Sequence, residues 1–426
     1  MYDAVVLGGG YSGLAAARSL MQGGAGCLVL EAGDGLGGAG RCGPVAGESV
    51  EWFYHHIKPH DTFLLDLIDQ MGLADSLLWQ ETFMAFYLGR RLYPFSRPQD
   101  LIRFAPFNLA DKLRFCAGML SSRFTQSQNL AGMSAKDWIV RHWGRSVYHK
   151  MMAPMMRNKF GIPPERVCAG FLHGRIKGLS ATKAKGVGGE MLAYLDGGLD
   201  RLTRRLAQEL ATGAEVKLQS PVTALERTKD GYMVHAGGLS HPAKVVINTL
   251  PLNYFAKLPV NFDFDSQVKY QGAACALMAL AEPLDLPYWT NILEPGFSFK
   301  VVVNQSLLGR HRANLVYCSA YLPDDHPLIS APADQVRELY LKDLRTMIGP
   351  VELVDCLVTQ STVATPVFDV DYRQQTHDLQ NRLHNVFFAG NATIYPHSRT
   401  VSSVIGSGQR AAALALERLE AQARAA

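Results

Sequence analysis

The sequence predicts an α/β protein: a Rossmann-like, mostly parallel nucleotide-binding sheet drawn from both ends of the chain, with helices and a mixed β-sheet inserted between them. Three observations carry this expectation. The chain opens on a short apolar run, "YDAVVL", followed at once by "GGGYSGLAAARSLMQ". It closes on "NVFFAG", a loop and the alanine-rich stretch "VSSVIGSGQRAAALALERL". Between them lie amphipathic helical segments and then several apolar runs that read as strands.

At the N-terminus, Ala4 to Leu7 are apolar without alternation, which in so short a run favours a strand covered on both faces. Gly8, Gly10 and Gly13 then fit G-x-G-x-x-G at a strand-to-helix turn. In that pattern the first glycine permits the turn, the second lets the backbone approach a pyrophosphate, and the third lets helix and strand pack closely, while the helix N-terminus holds negative charge. The next strand, "CLVLE", ends at Glu31, eighteen residues after Gly13 and near the spacing of a ribose-binding acid. A carboxylate there accepts hydrogen bonds from ribose hydroxyls and repels a 2′-phosphate, so Glu31 points to FAD or NAD and away from NADP. An ordinary βαβ turn with a solvated acid shares each feature singly. All of them in this order make the fingerprint.

Further along, "AGDGLGGAGRCG" is a second glycine-rich loop, and residues 60 to 190 read as mainly helical. Within them "DTFLLDLIDQMGLADSLLW" has apolar positions at helical spacing, with Asp61 placed as a cap. "GGLDRLTRRLAQELA" is an amphipathic helix, "EVKLQSPVTALERTKDGYMVHAGG" a strand pair around a Lys-Asp-Gly turn, and "AKVVINTLP" a buried strand closed by Pro251. The runs "GAACALMALA", "FSFKVVVNQSL" and "NLVYCSAYL" belong in a mixed sheet. The resulting division gives a discontinuous cofactor domain (1–58, 190–251 and 380–426) and a substrate domain (59–189 and 252–379).

Composition narrows the function classes. A formal charge of +4 on 426 residues gives no global case for nucleic acid as a partner. The seven cysteines contain no C-x-x-C pair, so neither a zinc site nor a disulfide framework is expected. No secretory signal can be drawn, because the first apolar run is the cofactor strand itself, and no apolar stretch reaches the ~18 residues of a membrane span. The expected location is cytoplasmic, with peripheral membrane contact left open.

Taken together, "VVLGGGYSGLAAARSL", "LEAGDGLGG", "GGLDRL" before "VKLQSPVTALE", and the terminal "NVFFAGNATIYPHSRTVSSVIGSGQRAA" resemble the superfamily of FAD-dependent amine oxidases, protoporphyrinogen oxidases, phytoene desaturases and UDP-galactopyranose mutases. "FYHHIKPHD", "KFGIPPERV" and "YWTNILEPGF" look most like bacterial protoporphyrinogen oxidase-like proteins of unassigned reaction. The resemblance implies an FAD-binding domain of the glutathione reductase type. It places Gly8, Gly10, Gly13 and Glu31 on the ADP half of FAD, Gly37 and Gly38 near the pyrophosphate and flavin, Val222 on the adenine side, and Gly390 and Asn391 along the ribityl-pyrophosphate stretch. A helix starting near Ser402 then aims its N-terminus at the flavin, where unpaired N–H groups stabilise negative charge.

Three departures stand out. Asn391 occupies a position where the group usually carries an acid. Arg41 in "GGAGRC" is spaced differently from the arginine that directly follows paired glycines in the oxidases. The lysine that often enters the first strand of the substrate sheet in flavin amine oxidases is missing from "YQGAACALM", with Lys269 preceding it and Lys300 elsewhere. No cysteine follows Cys356, so FAD is expected to be bound without a covalent link.

Flavin chemistry asks the protein mainly for position and electrostatics. Candidates for substrate contact are His55 and His56 in "EWFYHHIKPHD", which titrate near neutral pH, and Tyr395, His397 and Arg399 in "TIYPHSRT". Isolated histidines are more often structural, and a loop-to-helix arginine often only pairs locally. The modest net charge hides an asymmetry: residues 141 to 186 carry ten basic side chains against Glu165 alone. Such a run is commonly a solvated face; the sharper reading is attraction of an anionic substrate or an acidic membrane surface.

The expected activity is an FAD-dependent oxidoreductase of desaturase, dehydrogenase or oxidase type that moves a hydride from a small or lipidic metabolite to flavin, in a pocket between the flavin and the helices containing residues 141 to 186. The alternative is a redox-neutral isomerase or mutase of a nucleotide-sugar-like anion. The later glycine cluster "GVGGE" follows no apolar strand, so no stable NAD(P)H site is expected. Electrons are then exchanged with dioxygen, a quinone or a partner protein.

Overall fold

The computed structural model describes residues 1–181 and 188–425. The chain opens with β1 (Tyr2–Leu7), α1 (Tyr11–Gln22) and β2 (Cys27–Leu30), then the hairpin β3 (Cys42–Val45) and β4 (Glu48–Glu51). Next come α2 (Thr62–Gln70) and three short strands, β5 (Leu77–Thr82), β6 (Met84–Leu88) and β7 (Arg91–Pro94). A helical stretch follows: α3 (Pro98–Arg103), α4 (Leu109–Ser122), α5 (Ala135–Trp143), α6 (Arg145–Val147), α7 (Ala153–Phe160) and α8 (Ala169–Ala181). The chain returns through β8 (Glu190–Leu195), α9 (Leu199–Leu210), β9 (Ala214–Lys217), β10 (Val222–Arg227), β11 (Tyr232–Ala236), β12 (Leu239–Asn248) and α10 (Leu252–Phe255). A second strand-rich stretch holds β13 (Tyr270–Leu280), β14 (Trp289–Ile292), β15 (Val301–Asn304), β16 (Asn314–Pro323), α11 (Pro327–Ser330), α12 (Ala333–Ile348) and β17 (Leu353–Pro366). The last elements are α13 (Tyr372–Thr376), β18 (Val386–Phe388) and α14 (Val401–Ala425).

Two sheets organise these elements. In the first, β9, β2, β1, β12 and β18 run parallel in that order, and the hairpin β10–β11 extends from the other end of β12. Ala4–Leu7 and Cys27–Leu30 are buried throughout, as continuous apolar runs require when helices cover both faces. The long terminal helix α14 packs along α1, and the approach is close: a β-carbon on Gly408 would stand 2.0 Å from the Ser12 carbonyl oxygen. The second sheet has the order β17-β13-β16-β15-β14-β6-β7 and is mixed, with β14–β6 its parallel pair. The expected α/β class, the hairpin, the mixed sheet and the strand–loop–helix ending are all present.

Two expectations need correction. Residues 60 to 190 are not mainly helical throughout, because β5, β6 and β7 occupy 77–94. The helix α2 stops at Gln70 and the chain turns at Gly72, whose φ of +67° suits glycine. β5 pairs with β8, and β6 with β14, partners more than a hundred residues away. Asp61 sits at the start of α2 but its carboxylate turns back to accept the Lys58 amide at 2.8 Å. The Leu64 amide of α2 is instead met by the Ser402 hydroxyl, from α14, at 3.3 Å.

Candidate active site

The glycine turn assigns a different task to each of its three glycines. Gly8 has φ +104°, which the turn from β1 demands of glycine. Gly13 is packed so tightly that a β-carbon would meet the Gly8 carbonyl oxygen at 2.0 Å. Gly10, just ahead of α1, faces room: nothing lies closer to an added β-carbon than the Gly38 Cα at 3.7 Å. That open side, between a helix N-terminus and the backbone of Gly37 and Gly38, has the room and the donor end that a pyrophosphate needs. The loop is held beside the turn by the Gly37 amide, which donates to the Gly9 carbonyl at 2.9 Å. Gly37 and Gly38 have φ +107° and +56°.

Glu31 sits at the end of β2 and accepts the Gly9 and Gly33 amides, each at 2.7 Å, so both carboxylate oxygens organise the loop. Its own carbonyl accepts the Ser220 amide at 2.8 Å, and the Gly33 carbonyl accepts the Gln219 amide at 2.8 Å. These bonds bring the segment leading to half-buried Val222, at the start of β10, beside the Glu31 loop. Arg41 lies over the same loop, paired with Asp34 at 2.7 Å and 4.3 Å above the Trp52 ring.

On the C-terminal side Gly390 has φ +94° and donates its amide to the Ser407 hydroxyl of α14 at 2.9 Å. Asn391 is half-buried at the start of a short 3-10 turn. The α14 N-terminus is formed by Thr400, whose hydroxyl accepts the Ser403 amide at 3.1 Å. The structure therefore gathers the glycine turn, the Glu31 loop, Gly390 and the start of α14 around one end of the parallel sheet.

A separate cavity of about 180 Å³ is walled by α7 and α8 on one side and by β14–β16 of the second sheet on the other. Aromatic groups line it at Tyr54, Phe83, Tyr288, Trp289 and Tyr321, and methionines at Met152, Met155 and Met156. His56 faces the cavity, with Nδ1 3.2 Å from the Tyr288 hydroxyl. Burial, and then Lys58, His55 and Lys159, hold its pKa well below the ordinary histidine range, which keeps the imidazole neutral. His55 donates Nδ1–H to the Phe53 carbonyl at 2.6 Å and borders a much smaller space with Glu51, Tyr194 and Val401.

The other candidates separate. Tyr395 packs outside the cavity, its hydroxyl 3.2 Å from the Cys168 sulfur and its ring against Phe368 and Tyr372. His397 is exposed at the surface. Arg399 is folded inward, donating to the Thr365 hydroxyl and the Pro366 carbonyl and lying 5.4–5.8 Å from the rings of Phe171, Tyr321 and Phe368. Burial, reinforced by Arg175, lowers its pKa to about 10, so it stays charged.

The basic run divides in the same way. Arg141, Arg145, Arg157 and Lys177 are exposed, Lys150 pairs with Asp111 and Arg166 with Asp369 and Asp371. Lys159 and Arg175 instead line the cavity, whereas Lys183 and Lys185, with Gly186 and Val187 of "GVGGE", lie outside the described residues. Sequence reasoning missed Lys58, Tyr54, Tyr288, Trp289 and Tyr321 as cavity groups. Lys58 lies in the quoted "HHIKPHD" and Trp289 in "YWTNILEPGF", but only the packing of the second sheet against α7 and α8 turns them to one space.

A glycine turn at the end of a parallel sheet, together with an enclosed aromatic cavity, defines a dinucleotide-cofactor protein with a ligand pocket. Residues 11–416 match the family described as flavin containing amine oxidoreductase, and the chain belongs to that family. Its cofactor is accordingly FAD, and the open side of Gly10, the glycine turn and the α14 N-terminus fit such a group. The flavin-containing amine oxidase of Oncorhynchus mykiss is 26% identical over 280 residues, covering 61% of this chain and 52% of the relative. The chain thus spans about half the length of that curated relative. Among solved structures, an Exiguobacterium sp. 255-15 protein provisionally assigned as a protoporphyrinogen oxidase superposes with TM-score 0.78 at 18% identity, covering 97% of this chain and 98% of the other. A reduced UDP-galactopyranose mutase gives TM-score 0.77 at 13% identity, covering 98% and 96%. These two likenesses establish the fold.

Proposed function

We propose that the protein is an FAD-dependent oxidoreductase that oxidises a small or lipidic metabolite, with FAD held noncovalently. The observation that carries this reading is the opening at Gly10 on the end of the parallel sheet together with a largely apolar cavity whose His56 also borders, with Val401 at the start of α14, a second small space. When bound, FAD supplies a two-electron acceptor for a substrate hydride. The chain's own share is to hold and orient. Gly8, Gly10, Gly13, Gly37 and Gly38 leave room for the pyrophosphate, Glu31 and Val222 border the ADP half, and Gly390 and Asn391 flank the ribityl side. The aromatic and methionine walls exclude water and fix a substrate, and neutral His56 offers the cavity a hydrogen-bonding group, its lowered pKa making it a weak acceptor of a full proton. Arg399 positions the wall between Tyr321 and Phe171. This division of labour supports the cofactor and substrate domains drawn above, and the electron acceptor is dioxygen, a quinone or a partner protein.

A second feature bears on a lipidic substrate. Leu109, Leu113, Leu120 and Phe124 recur on one face along and just beyond α4, with Ile102 from α3 beside them, and all five are exposed, Phe124 to 84%. Exposed Arg97, Arg103, Arg114 and Arg123 accompany them. The two acids of this stretch are occupied: Asp100 accepts the Ser96 and Arg97 amides, and buried Asp111 holds Lys150. An apolar stripe with a basic surround suits peripheral contact with an anionic lipid surface. Among the described residues no helix is long and apolar enough to cross a membrane.

The deciding experiment is anaerobic. Stoichiometric bleaching of the flavin by a metabolite from a screened set supports the oxidoreductase. Turnover that requires prior dithionite reduction and leaves no net redox change would replace it with the mutase-like alternative.

A further inference from the structure

The cavity carries a charge pattern that the oxidoreductase reading does not by itself require. Lys58, Lys159, Arg175 and Lys300 line it, and Glu190, which has interactions of its own, is the acid among the described lining residues. Lys300 is partly accounted for, since its ammonium donates to the Phe297 carbonyl at 2.6 Å. Lys159 is not, and Arg175 feels the Glu190 charge without an ion pair to it among the described residues. Lys159 lies 5.3 Å over the face of Trp289, and the charges acting on it, Arg175, Arg399 and Lys58, are all cations. Among the described residues neither Lys159 nor Arg175 enters an ion pair. Like charges gathered in an apolar enclosure disfavour one another and are costly to desolvate, and a bound group of opposite charge relieves both penalties.

We infer that the substrate is an apolar molecule bearing an oxyanion, a carboxylate or phosphate, which Lys159 and Arg175 bind while the aromatic and methionine walls take the apolar body. This rests on the proposed function for the claim that the ligand is a substrate. The same field turns away protonated amines, so the pocket is opposite in sign to what an amine substrate needs. An arginine offers an oxyanion two parallel donors and a lysine a point charge, a pairing that fixes both the position and the orientation of the ligand.

The test is calorimetric titration of the FAD-loaded protein with octanoate, octyl phosphate and octylamine, three ligands with one tail and different heads. At least one anion should bind at least tenfold more tightly than the amine, and comparison of the two anions tells carboxylate from phosphate. Lys159→Met and Arg175→Met should each weaken the preferred anion about tenfold or more, and Arg175→Lys should lose less. Flavin content and thermal melting report whether each variant is folded; the comparison of heads in the unsubstituted protein needs no variant. Amine binding as tight as the preferred anion, failure of both anions to bind at millimolar concentration, or unchanged anion affinity in both methionine variants would overturn the inference. A flavin that no metabolite bleaches would instead overturn the oxidoreductase reading and leave the anion preference standing.

Discussion

Gly13 rests against the carbonyl oxygen of Gly8 so closely that a β-carbon would stand 2.0 Å from it, whereas the equivalent position on Gly10 opens onto space. The two glycines should therefore fail differently when substituted. Gly13→Ala forces β1 and α1 apart and should lower thermal stability with or without cofactor. Gly10→Val should leave the apoprotein melting close to the original while preventing retention of FAD. Melting curves of flavin-stripped protein, set beside the 450 nm absorbance of the purified variants, separate the two; a Gly10→Val protein that purifies fully yellow would remove Gly10 from the cofactor site.

Glu31 has a structural task besides the ribose contact proposed for it. Its carboxylate already holds the Gly9 and Gly33 amides. Hydrogen bonds to a charged acceptor contribute roughly 1.5–3 kcal/mol. Glu31→Ala should thus weaken FAD binding and also destabilise the apoprotein. Equilibrium urea unfolding of the stripped protein measures the second effect, and an unchanged midpoint would confine Glu31 to ribose.

Lys159 gives a pH dependence of definite sign. Burial first, then Arg175, Arg399 and Lys58, hold its pKa well below the ordinary lysine value of about 10.4. Between the folded value and the ordinary one the unfolded chain binds more protons, so this group's effect on stability becomes more favourable as pH rises through that window. Lys159→Met removes the burden. Its gain in melting temperature over the unsubstituted protein should be largest near neutral pH and should shrink as pH approaches about 10. A gain that grows with pH would contradict the assignment.

The stripe on α4 predicts salt-sensitive membrane contact. The protein should sediment with phosphatidylglycerol-containing vesicles, less with pure phosphatidylcholine, and less again in high salt. Leu113→Ser combined with Phe124→Ser should abolish sedimentation without changing the flavin spectrum. Equal binding to neutral and anionic vesicles would argue against the basic surround.

Much of this was legible from residue order because the relevant contacts are local. The β1 turn, α1, β2 and Glu31 lie within one βαβ unit, and their glycines and acid occur at set intervals. The hairpin β10–β11 announces itself through its turn. β5 and β6 do not, since their partners β8 and β14 are remote in sequence and no short pattern encodes such pairings. Nor does counting bases distinguish Lys159 and Arg175 from Arg157 and Lys177. Which way each points depends on how α7 and α8 lie against the second sheet, and that is decided by tertiary packing. His56 and His397 illustrate the same limit: one faces the cavity and the other water, though both were drawn from equally polar loops.

The contact between Gly408 and Ser12 has a consequence for synthesis. The glycine turn leaves the ribosome hundreds of residues ahead of Gly390, Ser407 and the helix that clasps α1. A nascent chain still lacking them has only part of that arrangement, and β12 must wait without its neighbour β18. A site that needs both segments can close only once the residues as far as Ser407 have emerged.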